Sequence, residues 1–280
     1  MLTFSSAELN TWVAALLWPL TRILGLITAA PILGNASFPI TSKVGLGVFL
    51  AILIGPAVPA AQAADPMSLG GLMVVLQELL IGVGMGFAIR IVFGAVEFAG
   101  EISSLTMGLG FASFFDPASQ GRSSAVSQFM AALGTLLFLA SNAHLVLLSA
   151  LAESFTTLPI SATPLNGAGF RQLAEWGVKV FSSGLQLSLP IVAALLLTNI
   201  ALGILTRAAP SLNLFGIGFP ITLTAGFIVI AATLPYLTGP LDNLFMQGIE
   251  ASRSLARSWA AKNPPPAPPA SLKPWPRPPP

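Results

Sequence analysis

An all-α integral membrane protein is the fold class this sequence predicts, and three observations predict it. Hydrophobic residues fill 54% of the 280 positions, and the mean hydropathy is +0.83. Charged residues fill only 8%, where an ordinary soluble domain carries about 25%. The uncharged runs Val44 to Ala64, Ser123 to Ala152, Val180 to Thr206 and Ala208 to Leu241 each reach the ~20 residues that cross a bilayer as helix. The absence of cysteine excludes disulfides and thiolate metal sites. The start, Met1 to Asn10, has no basic n-region and does not read as a cleavable signal peptide. The first apolar segment is therefore expected to stay in the mature chain.

Proline and glycine divide the chain into six apolar segments. The first runs from about Ser5 to Pro31 with Arg22 inside it; Ser5 or Ser6 suits an N-cap, and Glu8 suits the positive helix end. Pro31, Gly34 and Pro39 break it, and the second runs from about Thr41 to Gly55, ended by Pro56 and Pro59. A linker, Pro59 to Pro66, leads to the third, from Ser68 onward. No proline falls between Pro66 and Pro117, so this region reads as one very long helix or as a tight hairpin. Gly82 and Gly86 form a G-x-x-x-G pair that lets another helix approach closely. The fourth segment runs from Ser123 to about Glu153 and holds the only histidine, His144. Turn-rich sequence from Leu158 to Gly169 leads to the fifth, about Phe170 to Ala209, where Pro190 is a kink candidate. The sixth runs from about Phe219 to Trp259, with Pro235 and Pro240 inside it.

Two domains follow: a helical membrane domain over residues 1–260, and a proline-rich tail over 261–280 that reads as extended and disordered. Much of the basic excess lies at Arg253, Arg257, Lys262, Lys273 and Arg277. That is a juxtamembrane cluster rather than a nucleic-acid surface, and the positive-inside rule places the tail in the cytoplasm. An internal repeat is also visible. Leu24-Gly25, Thr28, Ala30-Pro31 and Phe38-Pro39-Ile40-Thr41 recur as Leu202-Gly203, Thr206, Ala209-Pro210 and Phe219-Pro220-Ile221-Thr222. Two related helix-break-helix units, as in proteins built from membrane repeats, would produce it.

No catalytic set is present: there is one histidine and neither G-x-S-x-G nor H-E-x-x-H. Neither an enzymatic activity nor a cofactor is expected, and His144 reads as a hydrogen-bonded packing residue. Ionisable residues in apolar surroundings are more telling, since each costs about 2.5–3.5 kcal/mol at the centre of a span unless paired. Arg90, Glu97 and Glu101 lie at i, i+7 and i+11, on one helix face. Arg90 stands about 10 Å along the axis from Glu97, too far for a pair on one helix, and the two glutamates repel at i, i+4. The stripe therefore seeks partners on other helices or chains; a proton relay is the rival, with no aspartate or histidine chain to continue it.

The most unusual stretch is Met107-Gly-Leu-Gly-Phe-Ala-Ser-Phe-Phe-Asp-Pro-Ala-Ser119. Gly108 and Gly110 relax the backbone, Pro117 removes a donor, and Asp116 before it is pushed out of the helical region. Non-helical backbone at membrane depth survives only where protein buries it or where it lines a water-filled cavity. Two readings follow: a helix–helix turn whose aromatics anchor at the bilayer surface, or a flexible aromatic loop that closes a pore.

That stretch resembles the signature loop of the FliR family, the export-gate subunits of flagellar and virulence-associated type III secretion. Ala30-Pro31-Ile-Leu33, Ala99-Gly-Glu-Ile102, Asn142-Ala-His144, Leu158-Pro-Ile160, Pro164-Leu-Asn166 and Ile217 to Thr224 resemble family segments in the same order. The likeness covers roughly residues 5 to 250 and is nearer the flagellar version; the proline-rich tail departs from it. It implies one copy in a pore-forming hetero-oligomer with two kinds of companion subunit, much of it above the ordinary membrane plane. It further implies a plug formed by Phe111, Phe114 and Phe115, passage of unfolded exported proteins, and an inner-membrane site at the basal body. A secondary transporter with broken helices and a midplane site is the alternative.

Overall fold

The computed structural model describes residues 6–58, 65–111, 123–209 and 218–260. Those residues form helices and turns, with no strand among them. In chain order the helices are α1 (Ser6–Ala29), α2 (Ile40–Ile54), α3 (Leu69–Thr106), α4 (Ala125–Ala140), α5 (Ala143–Thr157), α6 (Gly167–Trp176), α7 (Lys179–Ala208) and α8 (Phe219–Ala260). Among the described residues, five helical stretches are long and apolar enough to cross a membrane, or up to six counting the bent pair α4–α5. The chain is an all-α integral membrane protein.

Helix α3 is the axis, packed against α1, α7, α4 and α8. Ser68 starts it by accepting a 3.1 Å bond from the Gly71 amide, and no proline interrupts it. Its 38 residues make a rod about 57 Å long, nearly twice the ~30 Å hydrocarbon thickness. The hairpin alternative for this region is therefore set aside. Of its glycines, Gly82 faces α1: a Cβ there would collide with the Arg22 carbonyl oxygen. One turn on, a Cβ at Gly86 would lie 2.8 Å from the Leu26 carbonyl oxygen. The crossing brings backbone against backbone, which only small residues permit.

Two uniform apolar segments turn out to be broken. The Ser123–Glu153 stretch bends by 68° between α4 and α5, where Asn142 takes a left-handed φ of 57°; asparagine tolerates that region better than most residues. The fifth segment is likewise two helices, parted at Gly177 and Val178. Arg171 pairs with Glu175 at 2.9 Å on the surface, while Lys179, beyond the break, reaches Gln247 at 3.4 Å. The first helices of the two segments that carry the expected repeat end at Ala29 and Ala208. Both α1 and α7 then pack on α3.

The core joins three rings from three helices. Phe93 of α3 stands 5.6 Å from both Phe138 of α4 and Phe245 of α8, and the latter two are 5.2 Å apart. Edge-on contacts at these spacings are favourable beyond the area they bury. Elsewhere large apolar side chains stay uncovered: Phe49 and Ile52 on α2, Leu197 and Ile204 on α7, and Phe227 and Ile228 on α8. Faces of this kind are stable only against lipid or other apolar protein surface.

Candidate functional site

The stems of the aromatic segment sit at a junction of α3, α4 and α8. Met107, which closes α3, is fully buried. Its carbonyl accepts from Thr222 Oγ1 of α8 at 3.3 Å, and its side chain fills the space where Gly226 has none. Gly108 follows with φ +87°, close to the Phe219 ring; an L-residue side chain would strain that dihedral. Leu109–Phe111 then form one 3-10 turn, with Gly110 at its centre.

The far stem is held as firmly. The Ser124 side chain accepts from the Ser127 amide at 3.1 Å and starts α4, while the Ser124 amide donates to Glu101 Oε2 at 3.2 Å. Ser127 Oγ donates to the Glu97 carbonyl at 2.8 Å. A Cβ at Gly100 would lie 2.6 Å from Ser127 Cα, so α3 and α4 touch at this point. Both ends of the segment are thus fixed within a few residues of the loop. Phe114, Phe115, Asp116 and Pro117 lie outside the described residues, as does the side chain of Phe111.

The charged stripe on α3 divides. Glu101 is half-buried and serves the Ser124 amide. Arg90 and Glu97 are exposed, and among the described residues neither side chain enters a hydrogen bond or ion pair. They continue an uncovered apolar face that includes Leu76, Val83 and Phe87. His144 differs from its expected role, because its Nδ1 is buried with no hydrogen-bond partner among the described residues.

The strongest polar constellation was not singled out from the sequence. Arg22 of α1 is completely buried, and its guanidinium grips Glu78 of α3 with two bonds, Nε–Oε2 at 2.6 Å and Nη2–Oε1 at 2.9 Å. It also donates to Ser154 Oγ of α5 at 3.1 Å and to the Leu158 carbonyl at 2.9 Å. The cation lies 4.3 Å from the Phe155 ring centroid. A forked, always-charged group suits such a bidentate buried pair. One residue thus ties together α1, α3, α5 and the turn beyond it. Two isolated opposite charges, in the first and third apolar segments, were the available signal.

These features define a helical membrane protein in which the stems on either side of the aromatic segment are pinned to neighbouring helices and apolar faces are left uncovered. The family described as "Bacterial export proteins, family 1" matches residues 13–248. The flagellar biosynthetic protein FliR of Pectobacterium carotovorum is 42% identical over 247 residues, 88% of this chain and 94% of the relative. That of Escherichia coli K12 gives the same identity and coverage. The Buchnera aphidicola protein from Acyrthosiphon pisum is 35% identical over 87% of this chain and 96% of its own length. The chain belongs to this bacterial export family, and within it to the FliR proteins.

Proposed function

We propose that this chain is an export-gate subunit of the flagellar type III secretion apparatus, lodged in the bacterial inner membrane at the basal body. It lines part of the passage for unfolded proteins, and the loop carrying Phe111, Phe114 and Phe115 plugs that passage when idle. The observation that carries the reading is likeness to flagellar FliR proteins over nearly the whole of their length. The pinned stem supports the plug. An export channel must pass an extended chain yet hold back ions, and a hydrophobic constriction does this by dewetting. Fixed stems on both sides of an aromatic segment suit that work.

The uncovered apolar faces, with Arg90 and Glu97 unpaired at the end of one of them, are the contact surfaces for companion membrane subunits. In this reading Glu97 and Glu101 serve assembly, and no residue has a catalytic role. Residues 261–280 form a separate cytoplasmic extension of the gate domain. Purification in mild detergent, with mass spectrometry of the co-purifying chains, tests the proposal. Recovery with unlike membrane subunits is expected. A self-contained monomer or homo-oligomer would instead favour a secondary transporter with a midplane site.

A further inference from the structure

A cavity of about 530 Å³ opens where α8 ends. Its walls come from α3, from the connection between α5 and α6, and from Trp259 and Ala260. Arg22 fixes two of these walls to each other, since it holds both Glu78 and the Leu158 carbonyl. The third is fixed by the Asn166 amide, which donates to the Trp259 carbonyl at 3.3 Å, and by the indole of Trp259, which occupies the spaces left by Gly84 and Gly169. The site is therefore built in advance, and its volume lies in the range of about 300–1,000 Å³ usual for ligand pockets.

Ala260, the last residue of α8, itself lines this cavity. Twenty residues follow it, from Ala261 to Pro280, with Pro264-Pro-Pro-Ala-Pro-Pro269 close to the start. At about 3.1 Å per residue in polyproline II, Pro264 falls roughly 12 Å from the rim. This tract presents carbonyl acceptors and apolar rings, with the Ala267 N–H as its one backbone donor, so a site that binds it needs donors and flat apolar surface. Both are present. The Gln77 side chain enters no hydrogen bond among the described residues. Ser161 and Thr163 share one 2.7 Å hydroxyl bond, which leaves one O–H free to donate. Pro159, Pro164 and Leu165 supply the apolar surface, with the buried indole of Trp259 behind it.

We propose that Pro264–Pro269 docks back into the cavity beside Trp259, so that the tail caps the gate domain from which it springs. Tethering supports the docking, because a short linker holds the ligand at an effective concentration near millimolar. The family match stops at residue 248, so the device belongs to this chain's own extension. It does not rest on the export role, and its test reads docking alone.

The natural absence of cysteine makes disulfide trapping clean. The S161C/A267C variant, oxidised mildly in its native membrane, should form an internal disulfide, because the bond requires Cα atoms about 4.4–6.8 Å apart. S42C/A267C, with its first cysteine on the exposed start of α2, should yield on the order of tenfold less. Replacing Pro264, Pro265 and Pro266 with serine in S161C/A267C should cut the yield severalfold. Co-expressed single-cysteine chains should give no linked dimer. Equal yields at positions 161 and 42, no effect of the serine substitutions, or linkage only between chains would each overturn the proposal.

Discussion

Replacing Arg22 with methionine should destabilise the folded chain by about 3–5 kcal/mol, the usual cost of removing one partner from a buried pair. The magnitude follows from what the guanidinium holds. Glu78 would lose donors at 2.6 and 2.9 Å, and its side chain is only 2% exposed, so water cannot replace them. The Leu158 carbonyl would lose its 2.9 Å donor as well, at about 1–3 kcal/mol for a buried acceptor left unpaired. Ser154 suffers less, because its hydroxyl still donates to the Leu151 carbonyl at 2.6 Å. The double variant with Glu78→Met removes the orphaned carboxylate, and only the loss at Leu158, about 1–3 kcal/mol, should remain. Equilibrium unfolding by SDS in mixed micelles measures both. A single variant that loses under about 1 kcal/mol, or a double variant as unstable as the single, would refute the reasoning.

Other substitutions test other joints. Gly82→Val should lower stability by about 1–3 kcal/mol or more by forcing α1 away from α3; Gly45→Ala, with nothing within 4 Å of its added carbon, should be near neutral in the same unfolding assay. Asn142→Val should cost about 1–2 kcal/mol through its left-handed dihedral, while Asn142→Gly should cost far less. Glu97→Gln should weaken co-purification of the companion subunits and lower secretion of flagellar proteins along with it, as a charge serving assembly requires. Intact assembly with lost proton-driven export would make Glu97 part of a relay instead.

The helical class was legible in the sequence because low charge and long apolar runs leave a membrane chain few alternatives. Breaks marked by proline were legible too: α2 begins within a residue of its expected start, behind Pro39. The bend at Asn142 was not, because hydropathy is uniform from Ser123 to Ala152 and a single left-handed dihedral leaves no periodic trace. Glycine spacing announced that α3 would be approached closely but could not name α1 as the neighbour. The Arg22–Glu78 clamp was hidden for the same reason, its partners being 56 positions apart. Composition registers that a buried charge needs a partner; only the three-dimensional arrangement supplies which one.

The measurement closest to the central claim is ion conductance across membranes that hold the assembled complex, with Phe111, Phe114 and Phe115 all replaced by alanine. The account predicts a leak of small ions in the idle state, with the complex still assembled. Normal conductance and normal growth in the presence of a fully assembled triple variant would contradict it.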